Sequence, residues 1–237
     1  MIDIHTHILP QLDDGSRSVQ EAIDMLGIMS KQGVDTIVAT PHFYIDSMNP
    51  EVFFDKRDAA AALLKNALPL DFERPRISLG AEVQFYPDLA SFEYLEKLCF
   101  EGTRYILIEM PFCKWPSFAA KALQKLSLSR GITPILAHVE RYLAFQKKRD
   151  IEELVNDTNA LVQVNSEFFL NPRTKRKALG MFKKGLIDFV ASDSHNTTTR
   201  IPNVGQGIEI ISKKFGEDAL SLFEDRKKLV TEDLITF

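Results

Sequence analysis

The sequence predicts an α/β fold built on a parallel sheet, and three observations carry that prediction. Short apolar runs alternate with helical stretches along the chain. These runs are apolar throughout rather than half-polar, as in strands buried on both faces. Most of them end on a histidine or a carboxylate. The alternation is compatible with an open sheet or a closed barrel.

Ile2 to Ile4 is the first strand, and His5 and His7 follow it. A spacing of two puts both imidazoles on one side of an extended chain. Residues 8–15 form a polar turn. Ser18 and Glu21 make a capping box for a helix in which Val19, Ala22, Ile23, Leu26 and Met29 keep helical spacing until Gly33. Thr36 to Ala39 is the second strand, ending at Thr40-Pro41-His42, and an alanine-rich helix spans 52–68. A strand over 77–81 ends at Glu82, with a helix over 89–100. A strand over 105–108 ends at Glu109, and Pro116 opens a helix that stops at Gly131. The strand 133–137 ends at His138, and Asp150 and Glu153 cap the next helix. The strand 161–164 leads to Asn165, and Asn171-Pro172 starts a helix that stops near Gly185. The strand 187–191 ends at Ser192-Asp193-Ser194-His195. From Asn203 onward the chain reads as helices with a short final strand or tail. These are seven strands, with no glycine-rich phosphate loop after the first and no linker or repeat, so residues 1–237 are expected to form one domain.

The chain has 237 residues, is 45% hydrophobic and carries a net charge of -4. This balance lacks the electrostatic footprint of a nucleic-acid binder. The basic clusters 173–177 and 226–228 read as solvated helix faces, with docking of an acidic partner as the minor alternative. No run reaches the roughly 20 apolar residues of a membrane span. The start lacks a signal peptide's basic and apolar regions, and two cysteines make no disulfide framework, so a reducing cytoplasm is expected. Ala119 and Tyr105 stand where a thiol phosphatase of Cys-x5-Arg type needs arginine, so Cys113 and Cys99 both read as packing residues.

His5/His7, His42, Glu82, Glu109, His138 and Asp193/His195 fall at the C-terminal ends of strands one to five and seven. In a β/α barrel those ends open on one face, where active sites are built. With Asp14 from the first turn, the candidate ligands are five histidines, two glutamates and two aspartates. That set exceeds what one ion needs and suggests two or three, with carboxylate bridges. Manganese, iron and zinc all suit mixed imidazole and carboxylate donors. Clustered divalent ions serve phosphoester hydrolysis, because they activate a bridging water and hold phosphate oxygens. Arg141 and Arg200, each just downstream of a ligand-bearing strand end, suit phosphate binding through their planar forks. Phe43, Tyr44, Phe85, Tyr86 and Trp115 also follow strand ends and fit either an aromatic leaving-group pocket or loop packing.

The combination His5-x-His7, Pro41-His42, Glu82, Glu109-x-Pro111, His138-x-Glu140-Arg141-Tyr142 and Asp193-x-His195 resembles the PHP (polymerase and histidinol phosphatase) superfamily. Within it, residues 2–10, Asp13-Asp14-Gly15 and Ala39-Thr40-Pro41-His42 are similar to the bacterial manganese-dependent tyrosine-protein phosphatases of the CpsB/YwqE type, which act in capsule and exopolysaccharide regulation. The resemblance implies a distorted (β/α)7 TIM-like barrel with a trinuclear site. His5, His7, Glu82 and Asp193 would hold one ion, with Glu82 bridging to a second that Glu109 and His138 complete. Asp14, His42 and His195 would hold the third, although the turn leaves Asp13 or Asp14 open as the ligand. Arg141 and Arg200 match the family's phosphate-contacting arginines. The implied cofactor is manganese, and the implied partner is a bacterial tyrosine kinase with a phosphorylated tail. A homo-oligomer is compatible with the sequence. The competing expectations are a histidinol-phosphate or other small-molecule phosphoesterase, and a non-catalytic, metal-dependent regulator that docks a kinase.

Overall fold

The computed structural model describes residues 1–69 and 71–237. Its frame is a set of parallel strand segments: β1 Ile2–Thr6, β2 Thr36–Ala39, β3 His42–Phe43, β4 Arg76–Leu79, β5 Glu82–Gln84, β6 Tyr105–Glu109, β7 Thr133–Leu136, β8 Leu161–Asn165 and β9 Phe189–Ala191. The α-helices between and after them are α1 Val19–Lys31, α2 Pro50–Ala67, α3 Leu95–Leu98, α4 Ala119–Arg130, α5 Val139–Tyr142, α6 Lys148–Thr158, α7 Glu167–Leu170, α8 Lys175–Lys183, α9 Val204–Phe215 and α10 Glu217–Thr231.

One ladder runs β1-β2-β4 and the other β3-β5-β6-β7-β8-β9. They are parts of the same curled sheet, because β2 continues into β3 and β4 into β5 across short breaks. Pro41, which has no N–H to donate, interrupts the first pair. At the second break a Cβ on Gly80 would come within 2.9 Å of the Phe100 ring, so the chain passes there only without a side chain. Gly80 N–H donates to Ala39 O at 2.9 Å and Glu82 N–H to Pro41 O at 3.0 Å, which stitches the two ladders together. Asp193 N–H donates to His5 O and His7 N–H to Ser194 O, both at 2.9 Å, so the first and last strands meet at their C-terminal ends. The result is a distorted seven-stave β/α barrel.

Strand periodicity sorts the apolar residues into two clusters. Val38, Leu107, Ile135 and Ala191 lie in the smaller one, whereas their neighbours Ile37, Ile106, Leu136 and Val190 pack with the helices in the larger one. Two residues beyond Leu107 and Ala191 on the same face stand Glu109 and Asp193. The alternation that fills the barrel with apolar side chains thus delivers carboxylates at its rim.

Several local expectations are corrected. The helix expected over 89–100 is only a 3₁₀ turn, Leu89–Ser91, followed by the single turn α3. Phe92 takes an extended backbone between them (φ -69, ψ 129), and its partly buried ring packs 5.8 Å from Phe43, a contact that outweighs helix propensity. Asp150 and Glu153 do not cap α6, which starts at Lys148 with no side-chain cap. Asp150 lies instead in its first turn, where a negative charge suits the helix dipole. Pro116 and Asn171-Pro172 precede α4 and α8 as turns rather than opening them, and the single-turn helices α5 and α7 were not foreseen. Ser18 Oγ accepts from Glu21 N–H at 3.1 Å, but Glu21 reaches Arg17 N–H rather than that of Ser18, so the capping box is only half formed. Cys99 is buried as expected, whereas Cys113 is exposed in the loop after β6 and is not a packing residue.

Candidate metal centre

The centre forms where the staves end. His5 and His7 at the end of β1 turn their Nε2 atoms toward each other, 3.2 Å apart. Glu82 Oε2 lies 3.1 Å from the first and 3.2 Å from the second, and Asp193 Oδ1 lies 3.5 and 3.6 Å from them. Donors bound to one ion at about 2.1 Å stand roughly 3.0 Å apart at a right angle and roughly 3.4 Å apart at the tetrahedral angle. The spacing of these four atoms therefore fits the edges of a coordination polyhedron.

Two further groups adjoin the first. His138 Nε2 lies 2.8 Å from Glu82 Oε1 and 3.4 Å from Glu109 Oε1. Asp14 Oδ1 lies 3.4 Å from His42 Nε2 and 3.2 Å from His195 Nε2. His42 also turns Nδ1 to Glu82 Oε2 at 3.0 Å, so it spans the second and third groups. Each of the nine expected donors thus lies close to others of the set, with Glu82 central. In metal-capable arrangements, His7, Asp14, His42 and His195 form one set, His5, His7 and Asp193 a second, and His42, Glu82 and Glu109 a third.

The residues around the donors hold the rings in place. His7 Nδ1 bonds Asp13 Oδ2 at 2.7 Å, His5 Nδ1–H donates to Gln163 Oε1 at 3.2 Å and His195 Nδ1–H donates to Asp193 O at 3.0 Å. Each contact leaves Nε2 facing the cluster, the usual way a neighbouring group fixes the tautomer of a metal-binding histidine. Asp13 also accepts from Gly15 N–H at 2.9 Å and His42 N–H at 3.1 Å, so the turn places Asp13 behind the rings and Asp14 in front of them. Gln163 and Asn165 were not foreseen as site residues. Gln163 also accepts from His138 N–H at 2.7 Å, and Asn165 Nδ2 donates to Asp193 Oδ2 at 2.9 Å. The available signal was a glutamine inside an otherwise apolar strand. His138 (φ 32) and Asp193 (φ 52) sit in the left-handed backbone region, a strain that non-glycine residues sustain where surrounding structure enforces it.

Electrostatics fit a cation. Burial alone would lower the pKa of His7, but hydrogen bonds to Asp13 and Glu82 prevail and raise it to about 10. His138 follows the same logic, with Glu109 and Glu82 overcoming burial and raising it to about 9. Burial works against the charge on Asp193 too, yet His5 and Arg141 hold its pKa well below the usual carboxylate range. Burial, His7 and Arg200 lower His195 to about 4. A site that retains protons on buried imidazoles to balance buried carboxylates is a site that would accept metal in their place.

Arg141 and Arg200 converge on the same carboxylate. Arg141 Nη2 donates to Asp193 Oδ2 at 2.5 Å and Arg200 Nη2 to Asp193 Oδ1 at 2.6 Å, while Arg200 Nη1 donates to His195 Nε2 at 2.7 Å. Both guanidinium groups are more than one-third exposed beside the donors, where an anion can reach them. A cleft of about 600 Å³ extends from the two arginines past Asn165, Phe168, Thr199 and Gln206.

The aromatic expectation divides. Tyr44 stacks on His42 at 5.5 Å, but Phe43 is fully buried and packs 4.8 Å from Phe53. Phe85 and Tyr86 pack against the core, and Trp115 lies 5.3 Å from Tyr142. Phe112, which was not foreseen, stacks on His138 at 5.8 Å with 45% of its surface exposed.

The profile described as capsular polysaccharide synthesis, CpsB/CapC, matches residues 1–230. The chain belongs to the CpsB/CapC family. It is 31% identical to the tyrosine-protein phosphatase YwqE of Bacillus subtilis, over 100% of this chain and 94% of that protein. It is 32% identical to the tyrosine-protein phosphatase CpsB of Streptococcus pneumoniae, over 99% and 100% of the two. A crystal structure from a study of these two proteins, described as unique metal-dependent tyrosine phosphatases, superposes with a TM-score of 0.84 at 30% identity, covering 100% of this chain and 97% of the other. A phosphotriesterase homology protein from Escherichia coli shares the fold alone, with a TM-score of 0.54 at 12% identity, over 96% and 97% of the two chains. For a member of the CpsB/CapC family, the donor cluster beside two arginines is the feature that links fold to chemistry.

Proposed function

We infer that this chain is a metal-dependent protein-tyrosine phosphatase of capsule or exopolysaccharide synthesis. One observation carries the reading. A cluster with donors for more than one ion adjoins two half-buried arginines, in a chain matched along its whole length by a tyrosine phosphatase. The donors fit hard or borderline divalent ions, and manganese is the proposed metal.

His5, His7, Glu82 and Asp193 are the proposed holders of one ion, with Glu109 and His138 joining Glu82 for a second and Asp14, His42 and His195 serving a third. When bound, such ions lower the pKa of water and neutralise phosphoryl oxygens. The chain's own residues do the rest. Arg141 and Arg200 bind phosphoryl oxygens with their forks and orient the phosphorus toward the donor face. Asp13 and Gln163 keep the His7 and His5 rings in register, so the site is preorganised before substrate arrives. A tyrosyl leaving oxygen has a pKa near 10, which makes its departure easier than that of a serine alkoxide. No covalent phosphoenzyme is required. Cys99 is buried with its thiol pushed up to about 12 by burial, and is a poor nucleophile.

The proposed substrate is the phosphorylated tail of a bacterial tyrosine kinase, and residues 1–237 are proposed to act as one catalytic unit. Among the described residues no helix is long and apolar enough to cross a membrane. The test is to strip the protein with chelator, restore manganese, and compare initial rates on a phosphotyrosyl peptide and on histidinol phosphate. Faster manganese-dependent turnover of the peptide is expected. Turnover that survives full chelation, or a preference for histidinol phosphate, overturns the reading.

A further inference from the structure

Away from the metal centre, α8 and the end of α9 border a groove of about 530 Å³. Four cations, Lys175, Arg176, Lys183 and Lys214, line it together with Leu179 and Phe215, and no acidic residue does. All four are exposed. Neighbouring Lys213 pairs with Glu209 at 2.5 Å, whereas among the described residues none of the four makes an ion pair. In a chain of net charge -4, this concentration of unpaired positive charge is out of keeping with the whole.

The helix itself is built against its own interest. The first turn of α8 holds Lys175, Arg176 and Lys177 and no acid, with no side-chain cap, although a helix N-terminus favours negative charge. Gly180 occupies the helix interior, where glycine is costly relative to alanine. A Cβ at Gly180 would meet nothing within 4 Å, so packing does not require the glycine. Its effect is to leave the floor of the groove open between the cations.

The groove also adjoins the catalytic cleft. Asn171 and Thr174 line the cleft that starts at Arg141 and Arg200, while Pro172 and Lys175 line the basic groove. Both therefore flank the start of α8. It is bordered by the cleft on one set of residues and by the groove on the next, so the two lie within reach of one polypeptide.

We propose that this groove docks an acidic segment of the phosphotyrosyl protein substrate, rich in aspartate and glutamate and distant in sequence from the phosphotyrosine. The identity of the partner rests on the phosphatase reading above, but the groove's preference for an acidic peptide does not. Unpaired cations stand there beside the apolar side chains of Leu179 and Phe215, a combination that suits a short acidic peptide. The nine residues of α8 extend roughly 13 Å, the length of about four residues of extended chain. The docked segment is correspondingly short. The cleft between carries Glu140 and Glu167 and no lysine, so residues immediately flanking the phosphotyrosine are expected to be neutral or basic.

The test uses the full chain and two variants. In one, Lys175, Arg176, Lys183 and Lys214 are changed to glutamate. In the other, Gly180→Leu fills the groove without altering charge and adds a better helix former. Fluorescence anisotropy with a labelled, unphosphorylated peptide bearing four consecutive acidic residues reads docking without any catalysis. Roughly tenfold weaker binding is expected in each variant and at high salt. Initial rates then compare a phosphotyrosyl peptide with and without that acidic segment, joined by a neutral spacer. The segment should lower KM in the native protein only, and hydrolysis of p-nitrophenyl phosphate should be the same in all three proteins. Equal affinity of native and variant proteins for the acidic peptide overturns the proposal, as does tighter binding to phosphatidylserine vesicles than to the peptide. Binding of the acidic peptide at the groove without turnover of any aryl phosphate sinks the phosphatase reading and leaves the docking site intact.

Discussion

His7 is held from two sides, with Asp13 on Nδ1 and the donors of His5 and Glu82 facing Nε2. Removing the orienting group in Asp13→Ala should weaken metal affinity about 10–100-fold while the circular dichroism spectrum stays native. Titration calorimetry decides it, and unchanged affinity counts against an orienting role. Arg200 poses the opposite case, because it contacts donors but is itself a cation. Arg200→Ala is expected to lower kcat on an aryl phosphate by about 10²–10³ and to leave metal uptake unimpaired. Loss of metal in that variant assigns Arg200 to holding the cluster together instead. Protonation gives a third expectation. With carboxylate partners outweighing burial, His7 near 10 and His138 near 9 carry protons at neutral pH in the metal-free chain. An incoming ion must displace those protons, so metal affinity should rise with pH and fall on acidification. Calorimetry in buffers of different ionisation heat reads the released protons, and a pH-independent affinity refutes the scheme.

At the scale of elements, the turn after β1 is the most constrained. A Cβ on Gly15 would stand 2.1 Å from His7 O and 2.5 Å from His7 Cβ. Gly15→Ala is therefore expected to displace the turn that carries Asp13 and Asp14, and to abolish binding at the third group before the barrel itself unfolds. Metal stoichiometry measured beside the melting temperature separates the two effects. The strands and their terminal donors were legible because each depends on a local pattern, an apolar run followed by a polar residue. The helix expected over 89–100 was not, because long-range packing of Phe92 against Phe43 interrupts a sequence whose local propensity is helical. Gln163 escaped for a related reason. A single amide in an apolar strand acquires its role only through His5, 158 residues away.

The whole molecule is closed partly by a surface tether. Asp35 pairs with the Met1 ammonium at 2.8 Å and with Lys227 of α10 at 2.6 Å, joining the first strand to the last helix. Burial resists its ionisation, but these partners prevail and lower its pKa from 3.8 to about 2. The associated stability is present above the unfolded value and is lost as pH falls through the folded one. Since the carboxylate is 46% exposed, solvent screening limits its contribution to about 0.5–1 kcal/mol. Asp35→Asn should lower stability by that amount at neutral pH in urea titrations, and the difference from the native chain should narrow as the pH approaches 2. A difference that persists unchanged in acid means that the charge on Asp35 is not its source.

The sequence by itself determined the order of the strands and of the longer helices, and the strand ends at which histidines and carboxylates stand, with the arginines just downstream. Those features follow from period, turn chemistry and spacing, which neighbouring residues decide among themselves. Only the tertiary structure decided which atoms face one another. It turned Asp13 behind His7 and Asp14 toward His42 and His195, brought Arg141 and Arg200 onto one carboxylate, and set Phe112 rather than Phe43 beside the rings. The physical reason is that a side chain's direction at a strand end depends on backbone twist and on partners from distant staves. Neither is written in the residues beside it.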